Sequence, residues 1–373
     1  MLIGAPPRWR FRSACHLPNG CRAGYAAANA GHRGGTAEER AMKKILNDPF
    51  AYVDETLEGL CLAFPQYYER TGGGGRVIKR PGLARKGKVG VVTGGGSGHL
   101  PVFTGYVGRG LLDACAIGEV FASPSVEQMV DAMRAADGGA GILRLYGNYG
   151  GDVMNFDMAG EMMEMEDVPS TTVRLADDVA SAPPAEAAKR RGVAGMIYAF
   201  KIAGAAAEAG LDLAGVTRVA QAAADACRTV GVALTPCTVP QAGRPTFTIG
   251  EDEMEIGMGI HGEPGVRRGA LRPAQAIAGE MLDMLLADRP IASGQRVSVL
   301  VNSLGATPPE ELFILYRDVA ARLTGAGASI VLPLVGRYAC SMEMAGVSFT
   351  IITLTPELEK YLLAPAECAF WRV

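Results

Sequence analysis

Residues 88–99 read KVGVVTGGGSGH, an apolar run rich in valine that passes straight into glycines and a histidine. A run with this little polar alternation reads as a strand buried on both faces, the kind found in sheets covered by helices. The expected strand is 88–93, with Gly94, Gly95, Gly96, Ser97 and Gly98 as a loop at its carboxyl end. In open α/β sheets ligands collect in the crevice outside such strand ends.

Outward from this stretch, short β-rich runs alternate with longer helical ones. Leu112–Ile117 reads as a second strand, and Ser123-Pro124 as the N-cap and first residue of a helix reaching about Arg134. Gly141–Tyr146 leads into GNYGGD (147–152) and a helix whose methionines 154, 158, 162, 163 and 165 read as core packing. After a strand at Thr171–Leu175, the proline break at Ala180–Pro184 marks a domain boundary. Beyond it the pattern predicts helices near Val193–Ala209 and Ala214–Val230 and β-like runs at Val232–Thr235 and Thr246–Ile249. There follow a glycine-rich loop GMGIHGEPG (257–265), a helix near Pro273–Leu286 and a strand at Arg296–Val301. A capping box at Thr307–Glu310 opens a further helix. This alternation predicts an α/β fold in two domains, 42–184 and 185–373.

Residues 1–41 read differently. They carry six Arg and two Glu, +4, in a chain of net charge −3, so the remainder is −7. They have neither the apolar run of an export signal nor the pattern of an amphipathic helix. They are expected to be a disordered tail or the product of an upstream start, with Met42 as the start of the folded protein. Cys15, His16 and Cys21 lack a fourth ligand nearby, and no set with metal-ligand spacing is found elsewhere. The eight cysteines form no CxxC pair, which fits free thiols in a reducing cytoplasm. No apolar run spans a bilayer, so no membrane association is expected. With 36 Lys plus Arg against 39 Asp plus Glu, there is no basic excess for nucleic acid.

The glycine run lacks the Lys-Ser/Thr of a P-loop and the GxGxxG spacing of a dinucleotide site, which disfavours a nicotinamide oxidoreductase. It offers bare backbone N–H groups and room for a small polar ligand. Three side chains then stand out. His99 closes this run. Asp152, at a helix start, is either an N-cap or a general base. His261 sits among glycines with Glu263 as a possible orienting carboxylate, and a neutral imidazole is a competent nucleophile toward a carbonyl.

Taken together, VVTGGGSGHLP, NYGGDVMNF and GMGIHGEPG, in this order, resemble the DhaK subunit of the dihydroxyacetone kinase family. GEVFASP (118–124), RRGVAG (190–195), CTVP (237–240), EME (253–255) and VNSLGATP (301–308) extend the resemblance from Met42 nearly to the C-terminus. It implies two α/β domains with mixed sheets flanked by helices. It implies that His261 holds dihydroxyacetone as a covalent hemiaminal and that Asp152 is the acid or base at the substrate hydroxyl. His99 would hydrogen-bond the substrate beside Gly95, Gly96, Ser97 and Gly98. It further implies a homodimer that binds no cofactor itself, with ATP or ADP and magnesium on a DhaL-type partner, loaded by ATP or by a DhaM-type phosphotransferase protein. The chain ends soon after Pro356 with no further kinase module, consistent with a substrate-binding subunit alone. Three positions depart from the family pattern: Leu100 replaces Glu, Gly147 replaces Lys and Gly150 replaces Thr. These losses open the reading to a larger ketose such as erythrulose. A non-catalytic ketose sensor is the remaining alternative.

Overall fold

The computed structural model describes residues 43–373; the expectations for residues 1–41, including Cys15, His16 and Cys21, lie outside these. The first sheet holds β1 (Glu69–Thr71), β2 (Val77–Lys79), β3 (Gly90–Ser97), β4 (Ala114–Val120), β5 (Ile142–Gly147) and β6 (Ser170–Leu175) in the order β1-β2-β4-β3-β5-β6. It is mixed: β3 pairs parallel with β4 and β5, whereas β2 runs antiparallel to β4. β7 (Cys227–Thr235) starts the second sheet, and β8 (Thr238–Val239) and β9 (Arg244–Pro245) form a separate ribbon. β10 (Glu253–Ile256), β11 (Arg267–Ala270), β12 (Arg296–Ser303), β13 (Ser329–Ile330), β14 (Leu334–Gly336) and β15 (Ala345–Thr353) complete the second sheet. Its core order is β10-β7-β15-β12, antiparallel, with β13 and β14 parallel to β12.

The helices are α1 (Tyr52–Ala63), α2 (Val126–Ala136), α3 (Gly150–Glu164), α4 (Gly195–Glu208), α5 (Leu213–Ala226), α6 (Ala274–Asp288), α7 (Pro309–Gly325) and α8 (Pro356–Leu362). α2 and α3 cover one face of the first sheet, where Met129, Met133, Phe156 and Met163 pack on Val92 and Tyr146. α6 and α7 cover the second sheet through Leu282, Leu285, Leu315 and Val319. α4 lies between the sheets and is buried at every position from Gly195 to Ala207, as a helix apolar on nearly every side must be. Its N-terminus is fixed from outside the helix: the buried Asp177 carboxylate accepts from the N–H groups of Val193 and Gly195 and from the Thr229 hydroxyl. A side chain at 195 would place its Cβ 2.6 Å from that carboxylate, so glycine is required there. Lys201, in the middle of α4, is fully buried and among the described residues donates only to the Tyr361 carbonyl, 2.6 Å away on α8; burial lowers its pKa to about 8.

Several expected boundaries are corrected. β3 does not stop at Thr93 but continues through the glycines to Ser97, pairing Gly94, Gly95 and Gly96 with Ala116, Ile117 and Gly118. The glycines are there for space: a Cβ at Gly95 would lie 2.2 Å from the Phe103 ring, and one at Gly96 2.7 Å from the Ala122 nitrogen. Within the run only Gly98, at φ +97°, needs left-handed backbone. α5 ends at Ala226, because Thr229, Val230 and Val232 pair with β15 instead of extending the alanine helix. Thr246–Ile249 is not a strand; the ribbon stops at Pro245. Ser125, not Ser123, caps α2, in a reciprocal box with Gln128. Thr307 caps nothing: its hydroxyl bridges the N–H and C=O of Gly346, and α7 starts from Pro308. Of the methionines in α3 and at its C-cap only Met163 is fully buried, while Met154 and Met158, on the side of the helix that faces away from the sheet, and the C-cap Met165 are exposed. Six cysteines, 61, 115, 227, 237, 340 and 368, are free among the described residues. No described helix is long and apolar enough to cross a membrane.

Candidate active site

His99 follows the end of β3, where the chain turns through Gly98. Its Nδ1 lies 2.8 Å from the Cys340 carbonyl. A carbonyl only accepts, so Nδ1 carries the proton and Nε2 keeps its lone pair; this Nε2 is buried and has no partner among the described residues. Burial, then the neighbouring His261, lowers the His99 pKa to about 3, so the ring is neutral at any physiological pH. It stacks on Phe121, centroids 4.8 Å apart, and meets Phe103 edge-on at 5.9 Å. Phe103, Phe121 and Met342 all hold left-handed backbone (φ 73°, 58° and 51°) and all pack around this turn. Strained non-glycine residues of this kind persist where the surrounding structure over-determines them.

His261 stands on the loop between β10 and β11. Glu263 holds it twice, accepting from the backbone N–H at 3.0 Å and from Nδ1 at 3.0 Å. Burial raises the Glu263 pKa, but the hydrogen bond and charge of His261 and the charge of Arg191 outweigh it and bring the carboxyl to about 2. An ionised Glu263 accepts from Nδ1 and fixes a proton there, so that Nε2 is the ring nitrogen of His261 left for another partner. Arg191 is anchored in turn by Asp178 and by the Gly257 carbonyl, with its guanidinium 3.8 Å from Glu263. The side chain at 261 is partly open, 23% exposed.

Asp152 lies in the first turn of α3, whose N-cap is Tyr149. It caps nothing, which removes the N-cap reading. Its Oδ1 is buried without a partner. Desolvation raises its pKa to about 6, against the Ser123 hydrogen bond and the charge of His261. Tyr149 meets His261 edge-on at 5.0 Å, and its own hydroxyl is buried and unpartnered.

The structure therefore brings His99, Asp152 and His261 together, two imidazoles whose Nδ1 atoms are both engaged beside a buried carboxyl whose pKa is raised to about 6. Sequence reasoning missed Tyr149, Phe121 and the loop 337–344, which ties the site together. In that loop Cys340 accepts from His99, the Met342 N–H donates to Gly98, and the Ser341 hydroxyl donates to the Ile260 carbonyl beside His261. Gly95 lies under Phe103, whereas Gly96, Ser97, Gly98 and His99 line a cavity of about 490 Å³ together with Lys44, Arg337 and Met342. Asp152 and His261 do not line that cavity, so it adjoins the cluster and does not contain it. Among the described residues no His, Cys, Asp or Glu cluster could hold a metal ion.

On this two-sheet α/β scaffold an imidazole oriented by a carboxylate, a second, neutral imidazole and a buried carboxyl stand side by side. The chain belongs to the dihydroxyacetone kinase family defined by the Dak1 domain, whose model matches residues 58–370. It is 46% identical to D-erythrulose kinase of Mycolicibacterium smegmatis over 87% of this chain and 56% of that one. It is 44% identical to the PTS-dependent dihydroxyacetone kinase 1, dihydroxyacetone-binding subunit DhaK, of Listeria innocua, over 85% of this chain and 95% of that one. Among solved structures it resembles the dihydroxyacetone kinase from C. freundii in complex with AMP-PNP and Mg2+, with a TM-score of 0.81, 34% identity and coverage of 89% and 61%. It also resembles the dihydroxyacetone kinase operon co-activator DhaQ, with a TM-score of 0.77, 30% identity and coverage of 84% and 96%. The chain thus spans little more than half of the erythrulose kinase and nearly all of the DhaK subunit.

Proposed function

We propose that this chain is the substrate-holding subunit of a ketose kinase, tethering dihydroxyacetone or a close homologue to His261. The observation that carries this reading is the Glu263–His261 pair, which leaves Nε2 as the free nucleophile beside His99 and Asp152. Nε2 attacks the ketone carbon, the C=O π bond opens, and the oxygen takes a proton from solvent. The ring keeps its Nδ1 proton, and its positive charge is countered by Glu263. The free Nε2 of His99 accepts a hydrogen bond from the substrate, and the N–H groups of Gly96, Ser97 and Gly98 assist. Asp152, ionised above about pH 6, accepts the proton of a terminal hydroxyl as that oxygen attacks the transferred phosphorus. Such a tether selects carbonyl-bearing polyols over glycerol and fixes the hydroxyl for in-line attack.

The near-complete match to a binding subunit supports a nucleotide, ATP or ADP with magnesium, held by a separate DhaL-type chain. A DhaM-type donor, a homodimer and a cytoplasmic location belong to the same reading. Similarity to an erythrulose kinase, with Leu100 and Gly147 in place of charged residues, favours a four-carbon ketose as the second candidate. A ketose sensor is the third, supported by the likeness to the co-activator. Crystals soaked in dihydroxyacetone or erythrulose test the tether: continuous density from the His261 ring to the ketone carbon is expected. A free ketone in active protein refutes it.

A further inference from the structure

A second cavity, about 530 Å³, lies between β6, the segment before Arg190, the last turns of α5 and α6 and the start of β7, with Asn148 in its wall and neither His99 nor His261. Four arginines line it, 174, 190, 228 and 289, against one carboxylate, Asp225. Arg190 and Arg228 are already committed: both bond the carboxylate of Asp288. Arg174 and Arg289 have no carboxylate partner among the described residues, and Arg289 makes only a backbone contact to Asp225. Asp225 itself accepts from Gln221 at 2.8 Å. The remaining lining is polar or alanine, and the Thr172 hydroxyl is buried there without a partner.

These features select for a ligand. With no aromatic or long aliphatic side chain in the wall, an apolar molecule gains little on entering. Two guanidinium groups without a carboxylate partner match a tetrahedral, doubly charged oxyanion, which arginine binds in bidentate fashion. We infer that this cavity is a binding site for a small phosphate-bearing anion, held by Arg174 and Arg289 with Thr172 as a hydroxyl donor. The inference does not depend on the tether at His261.

Calorimetric titration of inorganic phosphate, and in parallel glycerol 1-phosphate, into the full chain at low salt tests it. Saturable binding is expected. Arg174→Gln and Arg289→Gln should each weaken it by about tenfold, the scale of one charge-assisted hydrogen bond. His261→Ala should leave it unchanged, which separates this site from the proposed active site. Arg174→Lys, which keeps the charge but not the fork, should recover part of the loss, and melting curves without phosphate confirm that each variant is folded. Absence of saturable binding overturns the inference. So does binding that survives both arginine changes, binding that disappears with His261, or capture of an acidic protein surface without affinity for phosphate.

Discussion

The rings of His99 and His261 stand edge to face, centroids 4.9 Å apart at 74°. Each has its Nδ1 taken by an oxygen, a backbone carbonyl for His99 and a carboxylate for His261. Identical side chains thereby acquire different characters. The carbonyl gives His99 no charge with which to stabilise an imidazolium, so it stays a neutral acceptor. Glu263 gives His261 a counter-charge for the cation that the proposed ketose tether would create on its ring.

Removing that counter-charge should weaken the tether. Glu263→Gln is expected to lower hemiaminal occupancy by about tenfold or more, on the scale of one charged hydrogen bond. Carbon NMR with ketose labelled at the carbonyl reads this directly, because the ketone signal moves to that of a saturated carbon on tethering. Full occupancy in the variant would show that Glu263 does not support the adduct. Borohydride should trap nothing in either protein, since an imidazole adduct cannot dehydrate to an imine.

Asp152→Asn is expected to abolish most phosphorylation, by about 10²–10⁴-fold, while the fold survives. Stability should move the other way. A folded pKa of about 6 against 3.8 means that ionised Asp152 disfavours the folded state above pH 6, and this penalty fades as pH falls toward 4. The variant should therefore be more stable than the parent at pH 7, by up to about 3 kcal/mol, and little different at pH 4. Parent activity should decline below about pH 6 as the base is protonated. Denaturant melts at both pH values, with a pH–rate profile, check all three.

Lys201 gives a second pH signature, remote from the site. Its folded pKa of about 8 lies below the usual 10.5, so between these values the unfolded chain holds more protons and stability should rise with pH. Lys201→Met should remove that slope and stabilise the protein at pH 7 by about 1–3 kcal/mol, less than the full penalty because the Tyr361 carbonyl loses its donor. Urea titrations at pH 7 and pH 10 distinguish this from a merely structural lysine, whose loss would destabilise at both.

Substrate choice should respond to Gly147. A Cβ there meets the Gly192 carbonyl and the Met196 sulfur at 3.2 Å, close enough to require a small adjustment and no more. Gly147→Lys, alone or with Leu100→Glu, is expected to raise kcat/KM for dihydroxyacetone relative to erythrulose by about tenfold, the value of one charged hydrogen bond to the smaller ketose. An unchanged ratio would place selectivity elsewhere.

Ketose-dependent ATP consumption should require a DhaL-type partner. Coupled assays with and without that subunit decide this; turnover by the chain alone would refute the division of labour proposed above.

The parts of the site written in contiguous residues were legible: a strand ending in glycines and a histidine, a helix opening near Asp152, and His261 with Glu263 two residues on. What came from distant sequence was not. Cys340 and Ser341 reach both histidine loops from near the C-terminus, and Arg191 reaches Glu263 from before α4. Local pattern also misled where packing decided the outcome. The glycines after Thr93 read as a loop because glycine usually frees the backbone; here it clears space for three phenylalanines against a continuing strand. The methionines of α3 read as core because they are apolar, although several face outward.

α4 serves two sheets at once, and this bears on how such a protein can be divided or recombined. A polypeptide cut near Pro184 would leave one fragment with a helix whose alanines and aromatics had lost half their cover, and the other with a bare sheet face. Each piece would expose apolar surface of the kind that drives aggregation. Exchange of halves between related genes is therefore constrained by both surfaces of a single helix, and a crossover that matches only one of them should yield insoluble product.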